Sequence, residues 1–261
     1  MSSQSEEQAP GAGPSTRRTI SADGTEIAFD LYPAAGTTGL LVIPGFWRTR
    51  RYPALRAIAA SIARRLAPCA VLDVRGHGDS GGTFEFNRLE HLDVAAVARR
   101  FAEESALDKV VLLGFSAGGA IAISTAARNR DLRIAGLLLV SPVADFRRVF
   151  PRPNPFTIHH HISIGQAFAR PRFRWPGEDR LSSLDDVATL DLPICLIHAR
   201  HDWLVSHRHA EAIARRASGA ELHVLNVPGR YHADRLFDVA GDQLWPIVDE
   251  FVSRLAVEPA T

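Results

Sequence analysis

The sequence predicts an α/β fold, a mainly parallel sheet of eight strands with helices on both faces. Three observations carry this. Apolar runs such as GLLVIPG (39–45), KVVLLGF (109–115) and PICLIHAR (193–200) are nearly continuous, as strands buried on both faces must be. Segments with apolar residues at helical spacing separate those runs. With 261 residues and 46% hydrophobic content, one large domain can bury a full core.

Taken in order, residues 1–16 are rich in Ser, Gly, Pro and Glu without an apolar run, and are expected to be a disordered tail. The domain is assigned to 17–261. Within RRTISADGTEIAFDLYP, Asp23-Gly24 lies between two β-prone runs, a hairpin signal that adds antiparallel strands at one edge. GLLVIPG is the third strand, followed by a helix over 53–66. CAVLDVRG is the fourth, with a helix over about 87–104, and KVVLLGF leads into a helix starting near Ser116. IAGLLLVSP (134–142) and PICLIHAR are the sixth and seventh strands. A helix over about 206–217, the strand ELHVLNVP and a terminal helix over about 234–255 complete the series. Residues 145–190 break the alternation. They are rich in Pro, Arg and aromatics, too long for a plain crossover, and are expected to form a short cap insertion over one end of the sheet.

Composition excludes several classes. A net charge of +1 exerts no global pull on nucleic acid or an anionic membrane. Lys109 is the only lysine, so the basic side is almost wholly arginine, which reads as an Ala/Arg-rich composition. Cys69 and Cys195 sit in separate apolar runs, as buried reduced thiols do, and form no disulfide framework or metal motif. The N-terminus has acids where a signal peptide has bases, and no window reaches the roughly 18 apolar residues of a membrane span. A soluble cytoplasmic protein without a nucleic-acid partner is expected; oligomeric state is left open.

Two stretches contain Gly-x-Ser-x-Gly, around Ser116 in GFSAGG and around Ser80 in GHGDSGG. Context separates them. A nucleophile on a strand-to-helix elbow needs a buried strand before it and small residues after it, because larger side chains collide with the adjacent strand and helix. Ser116 has both, and the helix that follows aims backbone N–H groups at its position. Ser80 is followed by TFEFN, which is no apolar helix. GDSGG is similar to the serine motif of chymotrypsin-like proteases, but those place His and Asp upstream. Here the only upstream histidine is His77, three residues away, and the all-β pattern is missing. Ser116 is the candidate nucleophile and Ser80 a loop residue.

From residue 17 onward the chain resembles the α/β-hydrolases, most of all their esterase, cinnamoyl-esterase-like and serine-aminopeptidase-like branch. PGFW, DVRGHGDSGG, GFSAGG, HARHDWLVS and GRYHADRL fall in that family's order. The resemblance implies an α/β-hydrolase fold and a serine hydrolase of carboxylesterase type, without metal or cofactor. A serine hydroxyl needs a base, and a histidine held by a carboxylate supplies it. The family order Ser, acid, His assigns the base to His232 and the acid to Asp202, with Asp145 at the end of the sixth strand as the rival. The implied oxyanion donors are the Ala117 and Phe46 N–H groups. Pro44 departs from the frequent His-Gly pair at that loop, and its restricted φ takes over the stiffening. His77, Asp73 and Arg75 are read as bracing the Gly-rich turn. His159, His160 and His161 do not converge on one ion and are read as ordinary cap sequence.

Trp47, Phe115 and Phe156, with Phe46 and the further cap aromatics Phe150, Phe168, Phe173 and Trp175, are candidates to line a substrate pocket. Arginines follow the oxyanion loop (Arg48, Arg50, Arg51) and recur in the cap (Arg147, Arg148, Arg152, Arg170, Arg172, Arg174), a rim that would attract a carboxylate, a phosphate or an acyl-CoA. The competing explanation is compositional. Besides ester cleavage, the same machinery serves a thioesterase acting on acyl-CoA or a carrier protein, or an acyltransferase, and some relatives are small-molecule receptors with little turnover. A serine-aminopeptidase-like activity would need an acidic anchor for a free amine, which the cap lacks.

Overall fold

The structure is a computed structural model and describes residues 13–149, 171–174 and 181–257. Gly24, at φ +85°, turns the chain so that β1 (Ser15–Ile20) pairs antiparallel with β2 (Glu26–Tyr32). There follow β3 (Thr38–Ile43), α1 (Pro53–Arg65), β4 (Cys69–Leu72), α2 (Glu90–Glu104), β5 (Lys109–Phe115) and α3 (Ala117–Arg128). Then come β6 (Ile134–Val140), α4 (Leu184–Val187), β7 (Ile194–Ala199), α5 (Arg208–Ala214), β8 (Glu221–Leu225), α6 (Leu236–Val239) and α7 (Gly241–Val257). The eight strands order as β1-β2-β4-β3-β5-β6-β7-β8. β2 meets β4 antiparallel, and every pairing from β4 to β8 is parallel.

Side-chain alternation along β5 shows how the two cores arise. Val110 and Leu112 face the layer that holds α2, α3 and α5, with Phe101, Ile121 and Ile213. Val111, Leu113 and Phe115 face the layer of α1 and α7, with Leu55, Ile62 and Val248. Both faces being covered accounts for the continuous apolar runs. The order reverses at β3, which lies between β4 and β5. A doubly wound sheet opens a crevice beyond the strand ends at such a point.

Some boundaries differ from the expectation. The first strand begins at Ser15, paired with Leu31, so it starts two residues inside the expected tail. α2 starts at Glu90 because Phe86 and Asn87 hold φ values of +52° and +81°, which no helix admits. The single terminal helix expected over 234–255 is divided. A 3-10 turn (Ala233–Arg235) and α6 end at Ala240, whose φ of −140° breaks the helix before α7. Of the expected tail, residues 1–12 lie outside the described residues, as do 150–170 and 175–180 of the expected cap. The described cap piece 171–174 runs beside the loop after β4: Phe84 N–H donates to Arg172 O at 2.9 Å and Arg174 N–H to Phe84 O at 2.9 Å. Among the described residues, no helix is long and apolar enough to cross a membrane.

The start of α3 lies hard against β3 and β5. A Cβ on Gly118 would stand 2.1 Å from Ile43 O and 2.7 Å from Pro44 O, and one on Gly114 would stand 2.6 Å from Gly118 O. These neighbours are backbone atoms and cannot rotate away. Gly118→Ala is therefore expected to destabilise the fold by about 1–3 kcal/mol, at roughly 2–4 °C in melting temperature per kcal/mol. A thermal melt coincident with wild type would show that α3 can move away without penalty.

Candidate active site

β5 ends and α3 begins within one residue, and that residue is Ser116, at φ 54° and ψ −115°. A non-glycine residue there is strained, by about 1–3 kcal/mol for sparsely populated backbone regions in general. The surroundings over-determine the conformation. Ser116 N–H donates to Val140 O at 3.0 Å, while Ser116 O accepts from Gly119 and Val143 N–H, both at 3.0 Å. The side chain is thereby turned out of the strand end into the crevice.

His232 arrives from the loop after β8. Its Nε2 is 2.9 Å from Ser116 Oγ and its Nδ1 is 2.7 Å from Asp202 Oδ2. Asp202 lies three residues past β7, with Oδ1 accepting the Leu204 and Val205 N–H groups at 2.9 Å each. Burial pushes the Asp202 carboxyl up, but the electrostatic pull of His232 and His198 and the hydrogen bond from His232 override it and hold it well below the usual carboxylate range. An ionised Asp202 requires the proton of the pair to sit on His232 Nδ1, which leaves Nε2 to accept from the serine. The rival, Asp145, is turned elsewhere: its Oδ1 accepts Arg147 N–H and Nε, both at 3.0 Å. The structure brings together Ser116, His232 and Asp202, not Asp145.

Beside them runs the loop after β3. Gly45 lets it approach, since a Cβ there would come within 3.1 Å of Ser116 Cβ. Neither Phe46 N–H nor Ala117 N–H has a hydrogen-bond acceptor among the described residues. Trp47, at φ 62°, donates its N–H to His77 Nε2 at 3.3 Å, and His77 Nδ1 donates to Arg75 O at 3.2 Å. His77 thus joins the loop after β3 to the turn after β4. Asp73 makes a second tie, accepting Arg50 N–H at 2.8 Å and Asp79 N–H at 3.0 Å. Arg75 binds Asp93 and Asp23, at 2.6 and 2.7 Å. Ser80, the other Gly-x-Ser-x-Gly serine, is 2% exposed, donates to Asp73 O at 2.6 Å and accepts Ala28 N–H at 2.9 Å. Its hydroxyl is engaged in both directions.

A cavity of about 110 Å³ opens over Ser116, walled by Phe46, Trp47, Phe86, Phe146, Trp203 and Leu204 among others. Trp47 and Phe46 lie where the sequence places them. Phe115 does not: it projects from the opposite face of the sheet, packed on Phe237 with ring centroids 5.9 Å apart. Adjacent strand residues alternate in direction, so Phe115 sits in the α1/α7 core. Phe173 stands edge-on to Phe46 at 5.4 Å. Phe156, Phe150, Phe168 and Trp175 lie outside the described residues, with His159, His160 and His161. Sequence reasoning missed Phe86, Phe146 and Trp203. Only Trp203, directly after Asp202, carried a positional signal.

Comparison with known proteins fits this architecture. The sequence profile described as the alpha/beta hydrolase family matches residues 40–260. The chain belongs to that family. Among solved structures it is similar to the alpha/beta hydrolase GrgF from Penicillium sp. sh18, with 17% identity, TM-score 0.79, and 95% of this chain and 100% of that chain covered. It is similar to the Pyrococcus furiosus esterase Pf2001, with 18% identity, TM-score 0.73, and 93% and 91% covered. For the esterase RhEst1 from Rhodococcus sp. ECU1013 the values are 20%, 0.68, and 92% and 99%. At such identities the likeness concerns the fold. No curated protein sequence matches the chain.

Many charged groups among the described residues of this alpha/beta hydrolase are engaged with one another. Arg50 pairs with Asp30, Asp73 and Asp79, Arg51 with Asp79, Arg147 and Arg148 with Asp145, and Arg174 with Glu85. Arg172 donates to Ser80 O and Gly82 O. Arg48 stacks on Tyr52 at 4.2 Å and donates to Asp234 at 3.3 Å. Arg152 and Arg170 lie outside the described residues. One cluster of metal-ligating type exists among the described residues: Cys195, Glu221 and His223, at the β7–β8 edge. Burial pushes the Cys195 thiol up to about 12, and Arg254 already binds Glu221, so the cluster favours a neutral thiol and an ion pair over a metal.

Burial also holds His77 and His209 down at about 4, from an ordinary 6.5. Below 6.5 the unfolded chain binds a proton at each ring that the folded chain refuses until about pH 4. Stability therefore falls as pH drops through that window. Each ring accounts for a loss of up to about 3 kcal/mol between pH 6.5 and 4. Urea unfolding at pH 7 and 4.5 is expected to show a drop smaller by about 2 kcal/mol in His77→Asn than in wild type. Equal drops would mean that His77 is not kept neutral.

Proposed function

We propose that this alpha/beta hydrolase cleaves a carboxylic ester through a covalent acyl-enzyme, with Ser116 as nucleophile, His232 as base and acid, and Asp202 as orienting carboxylate. The observation that carries the reading is the unbroken line from Ser116 Oγ through His232 to Asp202, at 2.9 and 2.7 Å. The esterase names of Pf2001 and RhEst1 accord with it.

In this mechanism Ser116 Oγ attacks the ester carbonyl carbon as His232 Nε2 takes its proton. The oxyanion lies against the Phe46 and Ala117 N–H groups, one from the loop after β3 and one from the first turn of α3. Such preorganised donors are each worth about 2.7–4 kcal/mol of barrier. Collapse breaks the bond to the alcohol oxygen, which receives the proton from His232. A water then gives its proton to His232 and attacks the acyl-enzyme, and the second collapse breaks the acyl–Oγ bond, with Ser116 Oγ taking the proton back from His232 as the acid is released. Asp202 stays ionised throughout and stabilises the imidazolium that forms twice. The apolar wall of Phe46, Trp47 and Phe86 suits an acyl chain. Its volume of about 110 Å³ is small beside the roughly 300–1,000 Å³ of sites for drug-sized ligands, which favours short acyl groups.

Steady-state hydrolysis of nitrophenyl acetate through palmitate is expected to be saturable, with its optimum among the short chains. Ser116→Ala and Asp202→Asn are each expected to lower kcat by about 10⁴-fold or more. Turnover surviving in Ser116→Ala would remove Ser116 from its role. No turnover by the wild-type protein would overturn ester cleavage in favour of a thioester, a non-water acceptor or binding without turnover.

A further inference from the structure

The carboxyl of Asp202 faces two histidines. The second, His198, lies on β7 within ICLIHA, four residues before Asp202, and is fully buried. Its Nε2 stands 2.9 Å from Val205 O and 3.5 Å from Asp202 Oδ2. A carbonyl oxygen and an ionised carboxylate both only accept, so Nε2 carries the proton. Nδ1 is buried and has no hydrogen-bond partner. A proton there would be a buried donor without an acceptor, so the geometry admits the neutral ring with Nδ1 bare. The oxygen that His198 faces, Oδ2, is the one that receives His232 Nδ1.

We propose that His198 is a positioning residue for the Ser116–His232–Asp202 reaction, holding the Asp202 carboxylate in place and setting, through the shared Oδ2, how strongly that carboxylate supports His232 as a base. The inference rests on the triad reading given above. The Nε2–H donates to Val205 O at 2.9 Å, and at 3.5 Å from Oδ2 the same N–H dipole stabilises the carboxylate charge without a second hydrogen bond. Asp202 beside this dipole is a firm orienting group and a tempered one. It stays ionised beside His232.

The remaining groups around His198 are accounted for. His209 of α5 lies behind it, accepting Ala144 N–H at Nδ1 (3.1 Å) and kept neutral by burial at about 4. Asp145 and Arg148, from the segment after β6, reach His209 through their charges. Among the described residues, His232 and Asp202 complete the set. Burial holds His209 below its ordinary value, and the His232 titration is read from that ring's own signals.

The test compares wild type, His198→Phe, which has no donor, and His198→Gln, whose side-chain amide restores one. The readouts are NMR titration of the His232 ring and the pH profile of kcat/KM for a nitrophenyl ester. His198→Phe is expected to raise the His232 midpoint by about half to one unit, less than the 1–3 units of a full charge. It should also lower kcat about tenfold with KM within about twofold, the split expected when ground-state binding is untouched. His198→Gln should bring the midpoint back. A His232 midpoint in His198→Phe that coincides with wild type, or a failure of His198→Gln to return it, would overturn the proposal and leave His198 a purely structural residue. If neither variant folds, ring ¹⁵N shifts of the wild-type protein decide: Nε2 of His198 protonated and Nδ1 bare from pH 5 to 9 supports it, and a proton on Nδ1 overturns it. Loss of the triad reading would show separately, as hydrolysis surviving in Ser116→Ala, because the ring titrations need no turnover.

Discussion

The backbone of Ser116 sits at φ 54° against its own preference, and the rest of the site is arranged around that constraint. A strand cannot pass into a helix within one residue unless the helix start lies almost on top of the neighbouring strands. Gly118 provides that contact against the carbonyls of Ile43 and Pro44, and Gly119 against Pro142. The strain is balanced by hydrogen bonds from outside the elbow: Ser116 N–H donates to Val140 O at the end of β6, and Ser116 O accepts Val143 N–H from beyond it. The same closeness places Gly45, and with it the loop after β3, within reach of the serine. The elbow and the two N–H groups beside it are consequences of a single close approach.

A second layer of order is electrostatic. Arg50, 2% exposed, is surrounded by Asp30, Asp73 and Asp79, while Arg75 is held between Asp93 and Asp23. These groups lie under the loops after β3 and β4 and bind them to the hairpin and to α2. Buried ions with several partners fix geometry more than they add stability, because desolvation offsets much of their attraction. With those arginines occupied, the walls over Ser116 stay largely apolar. Of the arginines expected at an anion-attracting rim, the described Arg48, Arg50, Arg51, Arg147, Arg148 and Arg174 each face a carboxylate.

The strands and the elbow were legible because their signals are local. Each buried strand is a continuous apolar run, and Ser116 differs from Ser80 in what stands within five residues on either side. The division of the last helix at Ala240 left a single local mark, the adjacent Gly241, which the apolar helical spacing on either side of it outweighs. Phe115 shows a different limit. Its neighbour Ser116 faces the crevice, and the alternation of the strand sends Phe115 the other way, which a motif read as a block conceals.

By itself, the sequence determined the α/β alternation, the antiparallel hairpin at one edge and the elbow, because each depends on residues adjacent in the chain. The sequence favoured Asp202 over Asp145, and the tertiary structure puts Asp202 against His232 while Arg147 turns Asp145 away. Tertiary structure alone decided that Phe86, Phe146 and Trp203 share a cavity, and that His198 faces the same oxygen as His232. Those contacts join residues from separate strand ends, and their distances are set by how the strands are ordered and how closely the helices lie on them.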